Sequence, residues 1–185
     1  MLIRCTAKLL KEIGLTNSNL ADNLMDESTL GEWYANLFFA QRKKCIIFTN
    51  ARTLFTFISF DVNRAEIRNN LGKLFRTGLG KALLDEDFDG ALIQRLVNEC
   101  SRLQFARTKD RSILGVMVDH AKNIKWMLMR YGGLAEADYS RIIKQLNRTP
   151  LLTKEFPYSI EELRKVLGIR LFTSSHTSSN SPEPH

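Results

Sequence analysis

The sequence predicts a single α+β domain in which an antiparallel β-meander packs against several helices. Aromatic and β-branched residues are concentrated between positions 33 and 60, where short polar connections divide them into three strand-length runs. Apolar residues at helical spacing follow over most of the remaining chain. A chain of 185 residues, 44% of them hydrophobic, is long enough to bury one core without disulfides or metal.

The chain opens with a short strand and a short helix. Residues 2–6 are typical of a strand, and residues 7–13 predict a short helix that Gly14 ends as a C-terminal cap. Residues 17–31 are polar and weakly periodic, so we expect a loop that contains one short helix.

The three strand-length runs occupy residues 33–40, 44–49 and 54–60. Connections this short suit antiparallel hairpins, which makes the three strands a meander. Both alternating sets of side chains in the third strand are largely apolar, so we expect helices to cover at least one face of the sheet.

Two helices are predicted after the meander. Asn63 and Glu66 have the spacing of a capping pair at the start of the first helix. Its apolar face continues to residue 79, and Gly78 and Gly80 weaken its far end. An acidic turn at residues 85–89 leads to the second helix.

The last part of the chain predicts a strand at residues 103–107 and three more helices. Asp110 can cap a long helix that two glycines end after residue 131. A helix over residues 136–146 stops before Pro150. Ser159 and Glu162 have capping-box spacing at the start of the last helix, which Gly168 ends.

The C-terminal residues differ in composition from the rest. From Thr173 onward they are mainly Ser, Thr, Asn, Pro and His, so they lack the apolar groups whose burial offsets the entropy of ordering. We therefore expect residues 1–170 to form the single domain and residues 171–185 to be a disordered tail.

The composition limits the classes of function. With 27 basic and 20 acidic side chains the formal net charge is +7, which favours acidic partners such as nucleic acid. Three widely spaced cysteines, Cys5, Cys45 and Cys100, argue against a disulfide framework and indicate a reducing compartment. The cysteines and histidines do not have the spacing of metal ligands, and no apolar run approaches the ~18 residues of a membrane span. We expect a cytoplasmic protein with no metal, no cofactor and no membrane contact.

The segment from residue 107 to residue 112 places cations where a strand runs into a helix. Arg107, Lys109 and Arg111 oppose the helix dipole, so each needs an anionic partner. Together with the hydroxyls of Thr108 and Ser112 and the free N–H groups of the helix start, they would bind a phosphate.

An internal explanation competes with this anion site. Asp110 can cap the helix, an arginine can pair with a carboxylate elsewhere in the fold, and Lys109 can be solvated. A capping aspartate alone answers the objection from the dipole.

A secondary basic patch is a further hypothesis. Arg42, Lys43 and Lys44 lie at the first turn of the meander, and Arg148 follows a helix end. They would contact phosphates, with Arg148 beside the first site. The alternative is a solvated hairpin tip that protects a sheet edge, with Arg148 near the last carbonyls of its helix.

Aromatic strand residues and one histidine complete the candidates. Four phenylalanines of the meander could stack bases, but aromatic residues in strands are favoured for packing, so we predict a core role. Asp119 and His120 are neighbours in a helix and do not face each other, which makes them a poor acid–base pair. We therefore name no catalytic residue. The phenylalanines are Phe38, Phe48, Phe55 and Phe57.

Short blocks of the chain resemble an uncharacterised bacterial family catalogued as domain of unknown function number 6933. They lie in order at residues 1–10, 33–37, 42–50, 107–117 and 146–150. Tyr34 departs from the resemblance, since many members have His there, and any chemistry of that His would be lost in this chain. The family is similar in places to segments found beside plasmid-type ORF-3-like domains, which implies a link to mobile elements but no mechanism.

These observations predict a non-enzymatic binding module for a phosphate-bearing partner, with nucleic acid among the candidates. The alternative is a protein-interaction module of a mobile-element or defence system that binds an acidic protein. An enzyme acting on a phosphorylated substrate is the third alternative. It ranks last because the sequence shows no evident catalytic base or nucleophile.

Overall fold

The computed structural model describes residues 1–22, 24–150 and 158–169. These residues form one five-stranded mixed sheet with six α-helices, which confirms the α+β class. In chain order the elements are β1 (Leu2–Cys5), α1 (Ala7–Ile13), a 3-10 turn (Asn17–Asn19), β2 (Trp33–Ala40), β3 (Lys43–Asn50), β4 (Thr56–Ser59), α2 (Arg64–Asp85), α3 (Gly90–Glu99), β5 (Gln104–Arg107), α4 (Arg111–Arg130), α5 (Tyr139–Leu146) and α6 (Ser159–Val166).

The sheet has the strand order β4-β3-β2-β1-β5. Strands β2, β3 and β4 form the predicted antiparallel meander. The sheet as a whole is mixed and not purely antiparallel, because β1 pairs in parallel with both β2 and β5. The physical reason is the chain between them. A helix and a long loop follow β1 and return the chain to the same end of the sheet, so the next strand runs in the same direction.

One face of the sheet carries a cluster of aromatic rings against α2. Trp33, Phe48 and Phe57 surround Phe75 of α2, with ring centroids 5.3 to 5.4 Å from it. A Cβ atom on Gly78 would lie 2.7 Å from the Phe57 ring, so only glycine lets the helix approach this closely. Helix α2 accordingly continues through its glycines to residue 85. The core role predicted for the meander phenylalanines is confirmed, since all four are buried.

The opposite face carries a polar row that consists of Arg4, Tyr34, Thr49 and Thr56. These residues are in register across β1, β2, β3 and β4, and none is more than 2% exposed. The hydroxyls of Thr49 and Thr56 lie 2.9 Å apart. Helix α4 begins over this row, and polar side chains are buried there because each finds a partner.

Both outer edges of the sheet are covered. Beside β5, the backbone N–H of Ala21 donates to the carbonyl of Phe105 at 2.8 Å. Beside β4, the side-chain amide of Asn147 bonds to the backbone of Thr56. These hydrogen bonds occupy backbone groups of Phe105 and Thr56 that another strand could otherwise pair with.

The last helix departs from its prediction. Ser159 is the first helical residue, Tyr158 precedes it as N-cap, and no side chain caps the helix. The capping-box prediction for Ser159 and Glu162 is wrong, because the Ser159 hydroxyl donates instead to the carbonyl of Asn147 at 3.2 Å and to its side-chain oxygen at 2.9 Å. The tail predicted at residues 171–185 lies outside the described residues.

Candidate functional site

The junction between β5 and α4 contains the predicted anion site. Asp110 caps α4 as predicted: its carboxylate accepts from the Ser112 backbone N–H at 2.8 Å and from the Ser112 hydroxyl at 2.7 Å. The cap satisfies a backbone donor of the first turn and places a negative charge at the positive end of the helix. The three cations around it are therefore less exposed to repulsion by the dipole than the sequence alone indicated.

Arg107 binds the protein's own polar groups. Its guanidinium lies 2.9 Å from the carboxylate of Asp22, which also accepts from the Arg107 backbone N–H at 2.7 Å. A further hydrogen bond runs to the side chain of Asn17. Together with Thr108 and Lys11, Arg107 lines a surface cavity of about 440 Å³ at the carboxyl ends of β1 and β5. The Arg107 side chain remains half exposed.

Lys109 turns to a different carboxylate. Its ammonium lies 3.2 Å from Glu32, which is already held by two hydrogen bonds from Arg4, at 2.7 and 2.8 Å. The Arg4 hydrogen bonds, followed by the Lys109 interaction, hold the pKa of Glu32 below its usual range. Tyr34 lies beside this cluster, and burial raises the pKa of its phenol. Hydrogen bonds with the backbone of Asp110 and Lys109 lower that pKa and offset only part of the rise.

Arg111 is the cation of the junction that an outside anion can reach most directly. It is exposed, and within residues 1–22, 24–150 and 158–169 it makes no ion pair. Arg107 and Lys109 reach separate carboxylates, so the three cations do not converge on one cleft. Phosphate binding by residues 107–112 stays a prediction, with Arg111 in the most accessible position.

The secondary basic patch is divided among several carboxylates. Lys43 lies 3.1 Å from Asp61, and Lys44 pairs with Glu12. Arg148 makes two bonds to the buried carboxylate of Glu86, at 2.6 and 2.7 Å, and one to the carbonyl of Lys144 at 3.1 Å. Arg42 is exposed at the hairpin tip with a positive φ of 65°. None of these interactions joins the four residues to the β5–α4 junction.

His120 is more deeply buried than its place in the sequence indicated. It is 4% exposed, and within the part of the chain that the structure describes its Nδ1 atom has no hydrogen-bond partner. Burial lowers the pKa of the imidazole to about 4. A neutral, enclosed imidazole of this kind does not face a surface where a substrate could bind. No three His, Cys, Asp or Glu side chains are grouped as metal ligands in the described ranges.

The outward side of α4 is a surface that sequence reasoning missed. Arg111, Val118, Lys122, Lys125, Trp126 and Met129 recur at helical spacing, and we call them the α4 stripe. Val118, Trp126 and Met129 are 47%, 52% and 72% exposed. The signal was present in the periodicity, because the same spacing that defined the buried side also defines the side opposite to it.

The electrostatics of α4 are strongly one-sided. Asp119 is its single acidic residue, and its pair with Lys122, at 3.1 Å, is more than 70% exposed on both sides. Exposed ion pairs of this kind contribute little to stability, so Lys122 can exchange Asp119 for another anionic partner. The stripe therefore presents cations and exposed apolar groups together along one helix.

Helix length and composition bear on where the protein resides. No helix in residues 1–22, 24–150 or 158–169 is both long enough and apolar enough to cross a membrane.

Comparison with known proteins gives one match. No curated protein and no solved structure matches the chain. The sequence model of a family described as Domain of unknown function (DUF6933) matches residues 2–162. That match takes in all five strands and the β5–α4 junction. The chain therefore belongs to the DUF6933 family of domains of unknown function.

Proposed function

We propose that this protein is a non-enzymatic binding module for a phosphate-bearing polymer, with nucleic acid as the partner class. The observation that carries the proposal is the α4 stripe. Arg111, Lys122 and Lys125 project from one exposed side of a helix whose only carboxylate is Asp119. A 20-residue helix is ~30 Å long, so these charges extend over several phosphates of a bound strand.

The mechanism is charge neutralisation with release of counterions. A phosphate at the start of α4 would meet the Arg111 guanidinium, which can form two parallel hydrogen bonds to it. Phosphates further along would meet Lys122 and Lys125, with exchange of the weak Asp119 pair. Affinity should then fall as salt concentration rises, with a slope set by the number of phosphates neutralised.

Several features of the junction support this location. The Arg107 pair with Asp22 is half exposed on the arginine side, so Arg107 and Thr108 can add to a site that Arg111 begins.

A cytoplasmic setting is part of the proposal, and three buried cysteines without disulfides are compatible with it.

Binding to labelled oligonucleotides over a salt series tests the proposal. Replacing Arg111, Lys122 and Lys125 together by Gln should weaken binding and make the salt slope shallower by about 2 to 3, roughly one for each phosphate that is no longer neutralised. The control replaces Lys73 and Arg95 by Gln and so removes two charges elsewhere on the surface. Both are exposed, and they lie on α2 and α3, the helix layer of the other sheet face.

Two results would contradict the proposal. One is the absence of binding to any nucleic acid or nucleotide at low salt. The other is binding whose affinity does not change with salt, because phosphate neutralisation without salt dependence is physically inconsistent.

A second candidate function is a protein-interaction module that binds an acidic protein in a mobile-element or defence system. The observation that favours it is the exposure of Val118 and Met129 on the same helix side as the cations of the stripe. An acidic amphipathic segment would match both kinds of group. A partner protein that stays bound after nuclease treatment, and is released by serine at positions 118 and 129, would favour this candidate.

A further inference from the structure

The ends of α4 and α5 enclose a small pocket with an unusual lining. Its volume is about 270 Å³, and aromatic, guanidinium and amide groups make up most of its wall. No carboxylate is among the lining residues in the part of the chain that the structure describes. We call it the terminal pocket, and it is lined by Trp126, Met127, Arg130, Tyr131, Arg141 and Gln145.

Each aromatic ring of the terminal pocket has an arginine against it. The Arg130 guanidinium carbon lies 4.8 Å from the centre of the Trp126 ring, and that of Arg141 lies 5.3 Å from the centre of the Tyr131 ring. The Tyr131 hydroxyl is 3.2 Å from the side-chain oxygen of Gln145. These interactions orient flat groups that would otherwise move freely.

We propose that the terminal pocket binds an unstacked nucleobase of a single-stranded nucleic acid. Trp126 stays 52% exposed even with Arg130 over its ring, so indole surface remains for a second flat group. Aromatic rings and guanidinium planes are the groups on which proteins stack single-stranded bases. The guanidiniums of Arg130 and Arg141 in the lining also match the phosphate attached to that base.

The position of the pocket extends the proposed function and rests on it. Trp126 adjoins Lys125 and lies one turn after Lys122, so a strand whose phosphates follow the α4 stripe would bring a base to the terminal pocket. A duplex keeps its bases stacked inside and offers none to the pocket. An α-helix of a protein partner, ~10 Å wide with its side chains, would not enter a pocket of this volume.

Tryptophan fluorescence provides the test. The other tryptophan, Trp33, is fully buried in the aromatic cluster, so quenching by an added ligand reports on Trp126. We expect a single-stranded oligothymidylate to quench the emission, and an abasic oligonucleotide of the same length to bind without quenching. The Trp126→Ala variant should lose about tenfold or more in affinity for the single strand, while its affinity for a duplex stays the same.

Two further variants complete the design. Trp126→Phe retains a flat ring and should recover part of the single-strand affinity. Leu84→Ala removes an exposed apolar side chain of α2, on the other face of the sheet, and should leave the affinity unchanged.

The outcomes separate this inference from the proposed function. Salt-dependent binding without quenching, and unaffected by Trp126→Ala, would overturn the base site and leave the proposed function intact. Absence of any binding to nucleic acid would overturn both. Quenching of the Trp126 emission by an acidic peptide, but by no oligonucleotide, would overturn the base site in favour of a protein partner.

Discussion

The side-chain amide of Asn147 makes the two hydrogen bonds that a neighbouring strand would make to Thr56. Its Nδ2 atom donates to the Thr56 carbonyl at 2.8 Å, and its Oδ1 atom accepts from the Thr56 backbone N–H at 2.8 Å. Both residues are fully buried, and the Ser159 hydroxyl donates to the same Oδ1 atom. A single side chain after α5 thus takes the place of a neighbouring strand at Thr56 of β4 and ties α6 to it.

Replacing this amide should destabilise the fold substantially. In Asn147→Ala the N–H and carbonyl of Thr56 lose their partner inside the protein, at about 1 to 3 kcal/mol for each group. We expect the free energy of unfolding in urea to fall by roughly 3 kcal/mol. Asn123→Ala, on the exposed side of α4, is the control and should change it by less than about 0.5 kcal/mol. Equal effects of the two substitutions would show that Asn147 does not hold the edge.

Two glycines in helix interiors should respond to alanine with opposite signs. A Cβ atom at position 78 would lie 2.7 Å from the Phe57 ring, so Gly78→Ala should destabilise by about 1 to 3 kcal/mol through overpacking. A Cβ atom at position 115 meets nothing within 4 Å, so Gly115→Ala should stabilise by roughly 0.5 to 1 kcal/mol through helix propensity. Thermal unfolding of both variants checks this, and a stabilising Gly78→Ala would be inconsistent with the close packing of α2 on β4.

Breaking the buried ion pair of Arg4 and Glu32 should destabilise the fold strongly, whereas replacing both residues by apolar ones should destabilise it little. Glu32→Ala leaves a guanidinium whose side chain is 3% exposed without its two hydrogen bonds. We expect a loss of about 3 kcal/mol. The double variant Arg4→Met with Glu32→Leu removes both charges and should regain most of that loss.

The comparison uses urea unfolding, with Asp119→Ala as an exposed-pair control that should show no measurable change. If the double variant were no more stable than Glu32→Ala, the cost would arise from poorer packing and not from an unpaired charge.

His120 should make stability depend on pH. In the unfolded chain the imidazole takes up a proton as pH falls through 6.5, whereas in the fold burial holds its pKa at about 4. Between these values the unfolded state binds more protons, so the free energy of unfolding falls with pH and this contribution levels off below pH 4. The full difference corresponds to about 3 kcal/mol.

The variant His120→Leu isolates this contribution. Subtracting its unfolding free energy from that of the natural protein, from pH 7 down to pH 4, cancels the carboxylates that both share. We expect the difference to decrease steadily as pH falls. A difference that is constant across this range would mean that the imidazole titrates alike in both states.

Local features of the fold were predictable from the sequence, because they depend on neighbouring residues. The Asn63 cap, the Asp110 cap and the Gly14 terminator appear at the predicted positions. The meander follows from short polar turns between strand-forming runs. The parallel pairing of β1 was not predictable in this way, since β2 and β5 begin far along the chain, at Trp33 and Gln104, and no local pattern identifies them as its partners.

The candidate site shows the same division. The cations at residues 107–111 were evident, but their partners were not: Asp22 lies 85 residues before Arg107, and Glu32 lies 77 residues before Lys109. Ser159 illustrates the opposite error, in which a correct local pattern was overridden by a hydrogen bond to Asn147. Trp126 was not predicted as part of a site, because Arg141 and Gln145, which complete the terminal pocket, lie on α5 and reach it only when α5 packs beside the end of α4.

The central place of β1 in the sheet has a consequence for the order of folding. β1 leaves the ribosome before the meander, yet its second partner, β5, does not begin until residue 104. The meander can close over short turns long before that, whereas one side of β1 must wait for more than half of the chain. During synthesis β1 is therefore a temporary edge strand, and three of its four side chains, those of Leu2, Ile3 and Cys5, are apolar. The docking of β5 is the step that ends the exposure of this strand to aggregation.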